Sequence, residues 1–492
     1  MNTLKRTLAL VATIAMAATA FAGCGDDKKE SSSKADETTT AVQQDTTAAD
    51  TTAEPENDGS IDPSVKTDGK EFTVVAWNAD DVPYLIAQWK GLDYKTVVQD
   101  LADGKVAGIN ANILNVQGGQ ASEKYDQLFN DGADVDVYLV EADWALKYIN
   151  DDTKTLPLSK LGLGDKDFAN IYSYTDEVGK DSNGVRKGVS WQAAAGGFAY
   201  RADLAEEYLG VKSPSEMQDK IGTWSKFVDA AKEVANKSNK GVALADTLGG
   251  LWQAFACGRT QPWVVDNKLV IDDFCKEYAE TAKELWDNGG VTKNNQWTDE
   301  WTAAGVSGNC MGYFVSTWGF GGFFLDAAGG FDEETGKGGA QYGKWAVCEG
   351  PQAFYWGGTW MVVNPNTDNG KEAREFILSA TSDEAQMSAY AKAKPEYVNN
   401  TKVMDDLIAG NTVFNEKISG NFKDGQNYFA ELAQNAKSID FKNLITPYDA
   451  TIKADFSTVI KESYLEGGKS WEDTIEDFKD KVVESVPDLD VD

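Results

Sequence analysis

Between residues 72 and 149 short apolar runs with strand character alternate with helical segments, and this rhythm constrains the fold more than any other feature. Residues 72–77, 111–116 and 135–140 read as strands, and residues 94–101, 122–130 and 143–149 read as helices. A β-α-β-α-β order implies an α/β fold built on a parallel sheet with helices on both faces. Ligands of such sheets sit beyond the carboxyl ends of the strands. Those ends carry Asn78-Ala79-Asp80-Asp81 and Glu141-Ala142-Asp143-Trp144. Carboxylates and amides beside an indole suit a polar, flat ligand, although Asp80 and Asp143 serve equally well as helix caps.

The chain opens on Lys5 and Arg6, followed by an uncharged apolar stretch over residues 8–21. That stretch is too short for a membrane-spanning helix, which needs roughly 20 apolar residues, and it fits an export signal. The small residues before Cys24 resemble the lipobox of bacterial lipoproteins, which implies a signal peptide over residues 1–23 and lipidation of Cys24. The expected location is the outer face of the bacterial cytoplasmic membrane. Residues 24–68 are polar, acidic and rich in Ser and Thr, so they read as a disordered spacer. About 420 residues follow, too many for one core, and two lobes are expected.

Composition excludes several functions. The chain has no histidine, which removes Ser-His-Asp and Cys-His catalysis and His-ligated zinc. A net charge of −33 repels phosphate backbones, so nucleic acid is no partner. Cys257, Cys275, Cys310 and Cys348 form no C-x-x-C pair, and either disulfides or buried free thiols are open to them. No metal and no cofactor is expected. The Gly467-Gly468-Lys469-Ser470 run lacks the first glycine of a phosphate-binding loop, and the Asn364–Glu372 stretch, though oxygen-rich, has its glycine in the wrong place for a calcium loop.

Four segments, at residues 191–204, 307–318, 355–376 and 464–478, together resemble the extracellular solute-binding proteins of carbohydrate ABC importers, the maltose-binding-protein-like group. Cys310-Met311 and Ser316-Thr317-Trp318 depart from the family's usual pattern. The resemblance implies a two-lobed, type II periplasmic-binding-protein-like fold with a ligand cleft between the lobes and hinge crossovers. It puts lobe 1 at residues 69–193 plus 348–395, and lobe 2 at residues 194–347 plus 396–492. It further implies a monomer without enzymatic activity that binds a carbohydrate, an oligosaccharide by preference, and delivers it to ABC permease subunits.

Fifteen tryptophans argue separately for sugar, whose C–H faces stack on indole. The expected ligand contacts are Trp318, Trp360, Trp191, Trp356, Trp144 and Trp252, with Asp80, Asp143, Tyr448 and Asp449 accepting hydroxyl hydrogen bonds. A polyamine binder, in which acidic groups and aromatics hold a cation, and a surface glycoside hydrolase running on two carboxylates are the alternatives.

Overall fold

The computed structural model describes residues 59–492, apart from 78–80, 103–105, 107, 115, 117, 333–334, 395, 411, 413–415, 442–443 and 492. Cys24, the signal segment and Asp80 lie outside the described residues. Nine strands build two sheets: β1 (Phe72–Ala76), β2 (Ile109–Ile113), β3 (Val137–Glu141), β4 (Gly188–Ser190), β5 (Gly196–Arg201), β6 (Ala243–Ala245), β7 (Cys310–Ser316), β8 (Trp345–Cys348) and β9 (Thr359–Val363).

The first sheet runs β2-β1-β3-β9-β4. β1 is parallel to β2 and β3, as the alternating pattern predicts, but β9 runs antiparallel to both β3 and β4. The expected parallel sheet is therefore a mixed one. The reason is the path of β9, which enters from the other lobe instead of through a crossover helix of its own. All five residues of β1 are buried, as a strand covered on both faces requires. Helices Val82–Lys90 and Gly370–Thr381 cover it, and Leu85, Ile86, Phe376 and Ile377 join Phe72 and Val74 in one core.

The second sheet runs β8-β5-β7-β6, antiparallel except for β6 beside β7. Helix Trp224–Lys237 packs on it through Phe227, Ala231 and Val234, a helical i, i+4, i+7 stripe. Its first turn is capped by the Thr223 hydroxyl, which accepts from the Lys226 amide at 3.3 Å. Helix Asp449–Val459 belongs to the same core through Ile452 and Phe456.

Three crossings link the lobes, and they lie side by side. Residues 191–195 lead from β4 to β5; Gln192 pairs with Val398 on one side and Ala195 with Tyr355 on the other. The Asn399 amide donates to Trp191 O at 2.8 Å, and the Trp356 amide donates to Ala194 O at 3.1 Å. Buried Asn399 also donates through Nδ2 to Ser190 O at 2.9 Å and accepts from the Tyr172 amide at 3.0 Å.

One expectation changes here, and one left open is decided. Residues 59–68, read from sequence as spacer, are bound to the first lobe. Thr67 bridges Asn369, the Gly370 amide donates to Lys66 O at 2.9 Å, and Lys160 pairs with Asp62. A polar turn with free backbone groups supplies what this poorly apolar segment cannot bury for itself. The four described cysteines are free thiols, not disulfides.

Candidate functional site

The carboxyl ends of β1 and β3 and the start of β9 come together at one end of the first sheet, where Glu141 pairs in register with Thr359. The lead into β9 is the turn Gly357-Gly358, both left-handed, with φ of 73° and 100°. A β-carbon on Gly357 would lie 3.3 Å from Trp318 Nε1 and 3.8 Å from Glu141 Oε1. Glycine thus lets a lobe 1 carboxylate and a lobe 2 indole approach the same backbone. Trp318 Nε1 donates to Trp356 O at 2.6 Å, which fixes its ring over the turn.

Trp318, in the short helix Thr317–Phe320, stacks on Trp297 with ring centroids 5.9 Å apart and planes at 23°. Trp356 meets Trp318 edge-on at 5.3 Å and Trp297 at 5.6 Å. Trp297 is 58 % exposed and left-handed at φ 64°, a conformation that a bulky side chain adopts only when its surroundings hold it there. Its support is Trp301, fully buried, whose Nε1 donates to Asp246 Oδ2 at 2.8 Å. Strain and exposure thus fall together on one aromatic residue beside two more indoles.

Beyond Gly357 lies a small cavity of about 30 Å³, the volume of one liquid water, lined by Asp143, Arg259, Tyr355, Trp356, Asp449 and Lys453. Two ion pairs border it. Lys453 Nζ donates to Asp143 Oδ1 at 2.8 Å, joining a helix of the second lobe to the loop after β3. Arg259 Nη2 donates to Asp449 Oδ2 at 2.6 Å, with both side chains 7 % exposed. Asp143 also borders a groove of about 500 Å³, which runs along Trp144, Lys147, Asp151, Pro447 and Thr451.

Burial and the Asp143 charge push Glu141 up to about 8, so it is held protonated at neutral pH and can donate as well as accept. Burial works against the charge of Lys453, but Asp143 and Asp449 outweigh it and raise its pKa. Burial likewise raises the Cys257 thiol, which keeps it from being a thiolate nucleophile. Among the described residues no group of His, Cys, Asp and Glu could hold a metal ion, and no helix is long and apolar enough to cross a membrane.

The sequence-predicted residues separate into two sets. Trp318, Trp356, Asp143, Trp144 and Asp449 border the site, and Tyr448 stands half-buried beside Asp449 at the start of the same helix. Trp191, Trp252 and Trp360 do not. Trp360 is 1 % exposed and donates to Thr175 O at 2.9 Å; Trp191 is 2 % exposed and donates to Tyr390 Oη at 3.2 Å. Trp252 lies inside helix Leu248–Phe255 against Tyr278 and Phe456. Position along a strand or helix decides which face an indole takes and points Trp360 and Trp252 into the cores, while Trp191 is buried in the crossing segment after β4. Asp143 makes no capping bond to the helix that follows it. Trp297, Arg259 and Lys453 were missed. Trp297, a lone indole in the polar run Asn294-Asn295-Gln296, was the one with a visible signal.

The sequence profile of bacterial extracellular solute-binding proteins matches residues 97–417. The chain belongs to that family. No curated protein matches the solute-binding protein in sequence. Its fold is similar to that of a crystal structure of an extracellular solute-binding protein of family 1, with 17 % identity over 84 % of this chain and 100 % of the other, at a TM-score of 0.67. It is also similar to the ABC-transporter-associated binding protein of B. animalis subsp. lactis Bl-04 solved with β-1,6-galactobiose. Identity there is 17 % over 85 % of this chain and 97 % of the other, at a TM-score of 0.61. A third is the galacto-N-biose/lacto-N-biose I-binding protein of Bifidobacterium longum solved with lacto-N-biose, 16 % identical over 86 % and 100 %, at a TM-score of 0.60. At such identities the likeness is one of fold, and the solute-binding protein shares the two-lobed α/β architecture with its hinge crossovers.

Proposed function

We propose that this solute-binding protein captures an extracellular carbohydrate, an oligosaccharide by preference, in the cleft between its lobes and delivers it unaltered to an ABC permease. The observation that carries the reading is the Trp297–Trp318–Trp356 cluster set against Glu141 across Gly357. Indole faces take the C–H faces of a sugar, and a protonated carboxyl beside them serves hydroxyls as donor and acceptor. Solved proteins of this fold carry β-1,6-galactobiose, lacto-N-biose and maltose, which supports the same ligand class. The protein acts as a monomer held by a lipid on Cys24, and its output is the closed shape.

A polyamine is a poorer fit. Asp143 and Asp449 already pair with Lys453 and Arg259, so the acidic groups a polycation needs are taken and two cations face it. Titration of purified residues 59–492 with maltose, maltotriose, β-1,6-galactobiose and lacto-N-biose, followed by calorimetry, tests the reading. Saturable binding with the glycan recovered intact is the expected result. Binding of spermidine alone would replace it with the cation reading, and cleavage of a glycan would make the protein an enzyme.

A further inference from the structure

Arg259 lies outside every motif of the chain, and its hydrogen bonding is incomplete. Its side chain is 7 % exposed, packed with the guanidinium carbon 5.2 Å from the centroid of the Trp263 ring. Nη2 donates to Asp449 Oδ2 at 2.6 Å and to Leu444 O at 3.1 Å. Nη1 is buried and has no partner. Arginine cannot shed its proton, so a buried N–H of this kind is a standing demand for an acceptor.

The residue borders the small cavity opposite Asp143 and Lys453, one on each lobe. Separation of Asp143 from Lys453 on opening would turn this cavity into an open part of the cleft. We infer that Arg259 is a specificity-determining residue, which donates through Nη1 to an uncharged acceptor oxygen, a hydroxyl or ring oxygen, of the bound ligand. The inference rests on the carbohydrate reading and narrows it to neutral sugars. The charge of the guanidinium is already balanced by Asp449, and that of Asp143 by Lys453. The two carboxylates and two cations thus balance, so a charged group on the ligand would find no unpaired counter-charge, whereas a neutral oxygen satisfies the donor without adding charge.

A second orphan donor lies on the far side of Asp143. Trp144 is 8 % exposed, borders the groove, and its Nε1 is buried without a partner. Two unmet donors flanking one carboxylate describe a path for a ligand with several acceptor oxygens, the arrangement a chain of sugar units offers.

The test compares wild type, Arg259→Lys and Trp144→Phe against the same four neutral glycans and against glucuronic acid-terminated disaccharides. Arg259→Lys keeps a cation for Asp449 and loses the fork; Trp144→Phe keeps the ring and loses only the N–H. Both are expected to hold their melting temperatures and to weaken binding of the neutral glycan, by about 10-fold or more for Arg259→Lys. Wild type is expected to bind the neutral glycan more tightly than its uronate counterpart. Should Arg259→Lys unfold, monodeoxy analogues on wild type give the same information, because one of them must lose the affinity that Nη1 supplies. Wild-type binding that survives Arg259→Lys and every deoxy analogue unchanged, or that favours the uronate, would overturn the inference. Failure of wild type to bind any glycan would instead overturn the carbohydrate reading on which it rests.

Discussion

Lys453 of helix Asp449–Val459 and Asp143 of the loop after β3 meet at 2.8 Å, where both border the small cavity. The Asp143 side chain is 43 % exposed and that of Lys453 20 %, so the pair is a modest electrostatic tie and not a buried bond. In the proposed cleft a contact of this strength would favour closure only weakly.

Lys453→Met should therefore shift the unliganded protein toward the open form without harming the fold. A pair of this exposure contributes up to about 1 kcal/mol, a change of about fivefold in the closed-to-open ratio. Small-angle scattering should show a larger radius of gyration for the free variant and an unchanged one when loaded. Identical free profiles would show that the pair contributes nothing to closure.

Trp297→Gly separates strain from function. Glycine accepts φ 64° without cost, so the relief offsets the lost ring contacts and thermal stability should stay within about 3 °C of wild type. Glycan affinity should fall by about 10-fold, the worth of an aromatic platform of this kind. Trp318→Ala, which removes the stacked partner, should weaken binding at least as far. Unchanged affinity in both would remove the cluster from the site.

The buried tryptophans should behave in the opposite way. Trp252→Ala and Trp360→Ala each empty a large core volume, and each should cost about 3–5 kcal/mol in denaturant unfolding. Trp360→Phe keeps most of the volume and leaves Thr175 O accepting from the Gly179 amide at 3.2 Å, so the loss should be only about 0.5–1.5 kcal/mol. None of these should change affinity while the protein remains folded.

Stability should rise as pH falls from about 8 toward 4.5. Glu141 and Glu396 are both raised from 4.5 to about 8, each mainly by burial, with Asp143 and Asp81 respectively adding to the shift. Between those values the unfolded chain has lost protons that the folded one keeps, so each added pH unit destabilises the fold. Glu396 lies in the hinge, where it accepts from the Thr317 hydroxyl and from the Tyr397 amide at 3.1 Å. Glu396→Gln mimics the protonated form and should flatten the pH dependence of the melting temperature between pH 5 and 8. A slope equal to that of wild type would contradict the assignment.

Cys24→Ser should move the protein from the membrane fraction to the medium or periplasm with ligand binding intact. Retention in the membrane would count against lipidation at that residue.

The legible part of this protein was local. The apolar runs that became β1 and β3 stand in the chain as unbroken buried strands, and the Gly357-Gly358 pair marks a turn in any reading. The Glu141–Trp144 stretch was also legible as the loop at a strand end, because that position follows from the α/β order alone. The separation of its tryptophans into core and cleft was not. Trp356 and Trp360 lie four residues apart around the same glycines, yet one borders the cavity and the other is sealed under Thr175.

Periodicity and the order of segments by themselves determined the α/β character, because hydrophobic period and turn chemistry are written into neighbouring residues, and the resemblance of four segments to a known family pointed to the solute-binding kind. Tertiary structure alone decided that Arg259 meets Asp449 from 190 residues away and that Lys453 reaches Asp143 across 310. Such contacts depend on how two lobes pack and hinge, and no local pattern encodes the meeting of side chains so far apart in the chain.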